Sequence, residues 1–118
     1  MKIIQRSLEL ESDQFYEQHL SIINTVLPSK LTNKEIKVLA TFMSADQKLT
    51  IEDRFNSIVR KGVMKKLGLS PGGLGNYLNS MIKKGFLNKS EITNKITVKE
   101  FLMPEKVVQG YQFKISKI

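Results

Sequence analysis

The sequence predicts a mainly helical α+β fold, and three observations carry that prediction. Residues Val63 to Leu87 read as a helix, a tight turn, a second helix and the entry to a strand. Thr32 and Glu35 have the spacing of a helix-capping box. Two stretches near the end, Ile96–Lys99 and Tyr111–Ser116, alternate apolar and polar residues as half-buried strands do. At 118 residues the chain is expected to be one domain in three parts. Residues 1–30 are an N-terminal extension with a strand and an additional helix, 31–99 hold the paired helices and a hairpin, and 100–118 supply a C-terminal strand.

In chain order, residues 2–10 are expected to form a short strand with Ile4, Leu8 and Leu10 on one side. Ser12 is placed to cap a helix over 13–27. Its apolar residues Phe15, Tyr16, Leu20, Ile22, Ile23, Val26 and Leu27 form a stripe broader than one small core usually demands. That stripe suits either a central helix or a homodimer face, and Pro28 stops the helix. The next helix starts at the capping box, with Leu31 and Ile36 as a hydrophobic staple. Ile36, Leu39, Ala40 and Met43 form its buried face, and it fades near Ser44–Asp46. Thr50 and Asp53 resemble a second start signal, for either one long helix from Ile51 to Leu67 or a helix broken near Gly62.

Gly68 is placed to end this helix, Ser70 to cap the following one, and Pro71 to occupy its first turn. Leu74, Leu78 and Met81 then point inward, with Tyr77 and Ile82 at the margin. Gly85 ends the helix, Phe86 and Leu87 begin a strand, and Thr93–Asn94–Lys95 is a plausible hairpin tip.

The formal charge is +8, and all of it lies in the second half. Residues 1–50 carry six basic and six acidic side chains, whereas 54–99 carry ten basic ones and one acid, Glu91. Such asymmetry around the paired helices points to a polyanionic partner. With no cysteine and one histidine, His19, neither thiol chemistry nor a nitrogen–sulfur zinc site can be assembled. His19 falls on or beside the apolar stripe of the first helix and reads as a packed residue, not a general base. No carboxylate pair has catalytic spacing, so no enzyme activity, catalytic residue, metal or cofactor is expected. Nothing resembles a signal peptide or membrane span, and the expected location is the cytoplasm.

The apolar spacing Val63-Met64, Leu67-Gly68-Leu69-Ser70, Leu74, Tyr77-Leu78 and Met81, with the exit Lys84-Gly85-Phe86-Leu87, resembles the winged helix-turn-helix domains of bacterial and phage regulators. The likeness is strongest over 60–99. The family often has a small residue where this chain has Met64. The layout is also similar to MarR-type regulators, which end in a dimerising helix where this chain has strand-like alternation. In overall character it resembles small proteins of tailed phages.

The resemblance implies a duplex-DNA-binding protein in transcription or replication control. It places helix 70–84 in the major groove, with Asn76, Asn79 and Ser80 toward the bases; asparagine can pair bidentately with adenine. Arg60, Lys61, Lys65, Lys66, Ser70, Lys83, Lys84, Lys89 and Lys95 are the expected phosphate contacts, the last two on the wing. Three glycines, Gly72, Gly73 and Gly75, weaken the leading turn of the reading helix, and no Gly-Lys-Ser/Thr follows to make them a P-loop. They leave open a second reading, a protein–protein adaptor or phage assembly protein built on the same fold. RNA is a third partner the charge permits.

Overall fold

The computed structural model describes residues 10–45, 53–104 and 109–117. Among these residues four α-helices, a two-stranded antiparallel sheet and one 3₁₀ turn make a small α+β fold. The helices are α1 (Ser12–Asn24), α2 (Asn33–Met43), α3 (Ser57–Leu67) and α4 (Pro71–Lys83). The strands are β1 (Leu87–Lys89) and β2 (Ile96–Val98), and the 3₁₀ turn spans Glu100–Leu102. None of the described helices is long and apolar enough to cross a membrane. The strand expected over 2–10 lies outside the described residues, apart from Leu10, which is in no strand.

Helix α2 is the centre of the core. Its capping box forms: the Thr32 hydroxyl accepts from the Glu35 N–H at 3.1 Å, and the Glu35 carboxylate accepts from the Thr32 N–H at 2.8 Å. Leu31 and Ile36 are buried beside it, as the staple requires. The expected inward face of Ile36, Leu39, Ala40 and Met43 is buried, but so are Val38 and Phe42. A single apolar stripe is too narrow a description, because α1, α3 and α4 all pack on α2 and cover more than one of its sides. Phe42 is fully buried against Phe55, ring centroids 4.5 Å apart. At its far end the Arg54 guanidinium donates to the Met43 and Phe42 carbonyls at 3.1 and 3.4 Å, closing the negative end of the helix dipole.

Helix α1 lies against α2 through Leu20, which is fully buried, with Tyr16, Ile23 and Leu27 half-buried beside it. It starts and ends differently from the expectation. Glu11 is the N-cap and makes no side-chain cap bond, so Ser12 is the first helical residue and not the cap. The helix stops at Asn24, three residues before the expected end. Asn24 explains this, since its side chain accepts from the Leu31 N–H at 2.8 Å and donates to the Leu31 carbonyl at 3.0 Å, clamping the turn into α2. Lys30 then caps the Asn24 and Thr25 carbonyls at 2.8 and 2.9 Å.

Of the helix expected between 51 and 67, Ser57–Leu67 is helical and 53–56 is not; its expected start signal at Thr50 and Ile51 lies outside the described residues. Among the described residues it begins at Ser57, behind a turn held by Asp53, which accepts from the Phe55 N–H at 2.9 Å. The Asn56 side chain caps it by accepting from the Val59 N–H at 3.0 Å. Gly62 does not break it. Gly68 closes it in the left-handed region at φ 66°, where a Cβ would be strained. Ser70 caps α4 by accepting from the Gly73 N–H at 3.0 Å, and Pro71 opens the helix. Leu74, Leu78 and Met81 are buried, as the spacing predicted.

Gly85, at φ 85°, turns the chain from α4 into β1, and the Phe86 N–H bonds back to the Met81 carbonyl at 2.9 Å. The hairpin pairs Leu87 with Val98, Asn88 with Thr97, and Lys89 with Ile96. Leu87 and Ile96 face the core. The strand expected over 111–115 does not form: residues 109–117 have no regular structure, Phe113 is 52% exposed and Ile115 99%. The segment pairs with neither free edge of the β1–β2 hairpin; Tyr111 ties it to His19 of α1 instead.

His19 anchors this segment. Its Nε2 lies 2.7 Å from the Leu102 carbonyl oxygen, and its Nδ1 lies 2.6 Å from the Tyr111 hydroxyl. A carbonyl can only accept, so Nε2 carries the proton and Nδ1 accepts from Tyr111. Burial pushes His19 below its ordinary value of 6.5, partly opposed by the Leu102 carbonyl, and burial raises Tyr111. The unfolded chain therefore takes up a proton near pH 6.5 before the folded one does. Stability from this group is full above about pH 6.5 and declines as pH falls through the lower folded value. Urea unfolding at pH 5 and pH 7.5 is expected to show the loss, and His19→Gln to flatten it.

Candidate nucleic-acid interface

The geometry of α4 divides its residues cleanly. Opposite the buried Leu74, Leu78 and Met81, the side chains of Asn76, Asn79 and Lys83 are exposed. Together with Ser80 and Lys84 they line a shallow recess of about 510 Å³. The two asparagines are three apart and thus neighbours on the helix surface, with Lys83 one turn beyond. A Cβ at Gly72 or Gly75 would meet nothing within 4 Å, so no contact inside the described structure requires glycine there. At Gly73 the Cβ would stand 3.2 Å from the Ser70 hydroxyl that caps the helix.

The expected phosphate contacts separate into two groups. Lys61, Lys65, Lys83, Lys89 and Lys95 are exposed and form no ion pair among the described residues. The others are engaged within the chain. The Arg60 guanidinium donates to the Phe55 carbonyl at 2.6 Å, near the start of α3. The Lys66 ammonium pairs with Asp13 at 2.8 Å, and that contact lowers the Asp13 carboxyl below its ordinary range. An exposed pair of this kind ties α3 to α1 only weakly. Ser70 is occupied by its cap.

Lys84 departs furthest from the expectation. Its ammonium lies 2.6 Å from Glu35 Oε1 and 3.0 Å from the Lys30 carbonyl, and its side chain is 28% exposed. Glu35 is 2% exposed, so this is a partly buried ion pair between the end of α4 and the start of α2. Burial alone pushes the Glu35 carboxyl up. The Lys84 ammonium, the Thr32 N–H and the nearby Ser80 hydroxyl outweigh it and hold the group below its usual value. Oε2 has no hydrogen-bond partner among the described residues. Ser80 is half-buried and turned partly toward the interior.

Sequence reasoning assigned Lys84 to phosphate and Glu35 to capping alone. Nothing in a spacing of 49 residues signals their contact. It also missed Arg54 as the residue that closes α2, and Ile92 at the hairpin tip, though an isoleucine within Ser90-Glu91-Ile92-Thr93-Asn94 is a visible anomaly. Among the described residues, no three His, Asp or Glu side chains come together to hold a metal ion. The chain matches no known protein-family model, no curated protein and no solved structure.

Proposed function

We propose that this chain is a winged helix-turn-helix protein that binds duplex DNA without chemistry, in the control of transcription or replication. The observation that carries the reading is the outward face of α4, where Asn76, Asn79 and Lys83 stand exposed opposite a fully packed inner face. The order α2, α3, tight turn, α4, hairpin is compatible with a winged helix. Lys61 and Lys65 on α3 and Lys89 and Lys95 on the hairpin put exposed positive charge on the elements that precede and follow α4. In this reading α4 enters the major groove, the five exposed lysines meet phosphates, and Asn76 and Asn79 supply modest base reading. The absence of side chains at Gly72 and Gly75 lets a DNA backbone come close to the first turn of α4.

Two substitutions separate positioning from reading. Lys83→Ala is expected to weaken binding to all duplexes alike, and to reduce the slope of log affinity against log salt by about 0.9. Asn76→Ala is expected to relax the preference at one base position by about 1–3 kcal/mol. A selection from random duplexes with both variants reads the two effects. An unchanged sequence preference in Asn76→Ala removes base reading from the account and leaves phosphate binding standing. Failure of the wild-type chain to shift any duplex at low salt removes both.

A further inference from the structure

We infer that Ile92 is an apolar wedge that enters the minor groove of duplex DNA and partly unstacks a base step, an inference that rests on the duplex-binding reading above. Ile92 is 94% exposed at the apex of the β1–β2 connection. The loop that presents it is ordered by its own hydrogen bonds. The Ser90 N–H donates to the Lys95 carbonyl at 2.9 Å, and the Asn94 N–H donates to the Ser90 carbonyl at 2.9 Å. The Ser90 hydroxyl accepts from the Ile92 and Thr93 N–H groups at 3.3 and 3.2 Å. Asn94 takes the left-handed conformation, φ 58°, that lets the chain return to β2. Serine and asparagine thus build the turn, and the turn itself has no need of an isoleucine. Its side chain, 94% exposed, packs on none of the described residues and is held out in a preorganised position.

The surroundings select the partner. Lys89 ends β1 and Lys95 precedes β2, so the tip is carried between two exposed cations. Apolar wedges between base steps, with basic residues on the adjoining phosphates, are a general means of kinking a duplex toward the major groove. A bilayer suits the tip less well, because even a whole myristoyl chain gives only marginal membrane binding and one isoleucine is much smaller. Glu91 is the unfavourable neighbour, and its carboxylate must lie away from the phosphates.

The test uses the full chain, a duplex with fluorescent dyes at its ends, and a second duplex containing 2-aminopurine. Wild-type protein is expected to draw the ends together, as a kink of about 20° or more does, and to raise 2-aminopurine emission at one step. Ile92→Ser, at a position too exposed to affect folding, is expected to lose both signals. It should also bind about tenfold more weakly, the worth of burying most of an isoleucine side chain. Its salt slope should be unchanged, whereas Lys95→Ala should lower the slope by about 0.9 without abolishing the emission change. If wild-type protein binds duplex and Ile92→Ser binds, bends and unstacks it equally well, the wedge is overturned and duplex binding survives. If wild-type protein binds no duplex, both fall. Pelleting with anionic phospholipid vesicles that is lost in Ile92→Ser, without duplex bending, overturns the wedge in favour of a membrane contact.

Discussion

Lys84→Ala is expected to destabilise the fold by about 3 kcal/mol, because it leaves the Glu35 carboxylate buried without its counter-charge. The ammonium is the main favourable partner of a group that is 2% exposed and has an oxygen, Oε2, with no good hydrogen bond. Removing one member of a buried pair costs about 3–5 kcal/mol, and the partial exposure of Lys84 places this case at the lower end. Chemical denaturation of the variant measures it. Adding Glu35→Gln is expected to restore a large part of the loss, because a neutral amide can still accept from the Thr32 N–H and no buried charge remains. Equal, additive losses from the two single substitutions would show that the pair is not coupled.

The pH dependence differs between the two proteins. In the wild type Glu35 is held below about 4.5, so its contribution is present above that pH and is lost as pH falls through the lower folded value. In Lys84→Ala the Thr32 N–H and the Ser80 hydroxyl still oppose burial, but the strongest opposing partner is gone, so the folded value rises from its wild-type position. The penalty in the variant is then largest at neutral pH and shrinks as the solution is acidified through that raised value. This behaviour separates an interior lysine from a phosphate contact, which would leave the free protein's stability nearly unchanged.

Several local signals are legible because their physics is local, although Ser12 does not cap α1 and the Asn56 cap of α3 is not foreseen. The Thr32–Glu35 box, the Gly68 stop, the Ser70 cap with Pro71, and the Leu74, Leu78, Met81 face each depend on residues within one or two turns of each other. Features set by tertiary contact were not legible. The burial of Val38 and Phe42 depends on α2 being covered from several sides, and the Lys84–Glu35 pair joins two helices far apart in sequence. Tyr111, Phe113 and Ile115 alternate as a strand does, yet the first is fixed by His19 and the last two lie exposed. For the interface, the exposed Asn76, Asn79 and Lys83 followed from helical periodicity. Which lysines remain unpaired depends on the partners that Asp13 and Glu35 provide, and these come from α1 and α2.

A salt titration of duplex binding addresses the proposed function most directly. Lys61, Lys65, Lys83, Lys89 and Lys95 are the exposed cations of the proposed interface, and each phosphate they neutralise contributes about 0.9 to the slope. Five such contacts set the slope of log affinity against log salt near −4.5, so raising salt from about 50 to 200 mM is expected to weaken binding roughly 500-fold. Substantially steeper dependence would mean that Lys66 or Lys84 leaves its carboxylate to meet DNA. Binding with that slope supports a phosphate-contacting winged helix; no binding at about 50 mM salt, or binding indifferent to salt, contradicts it.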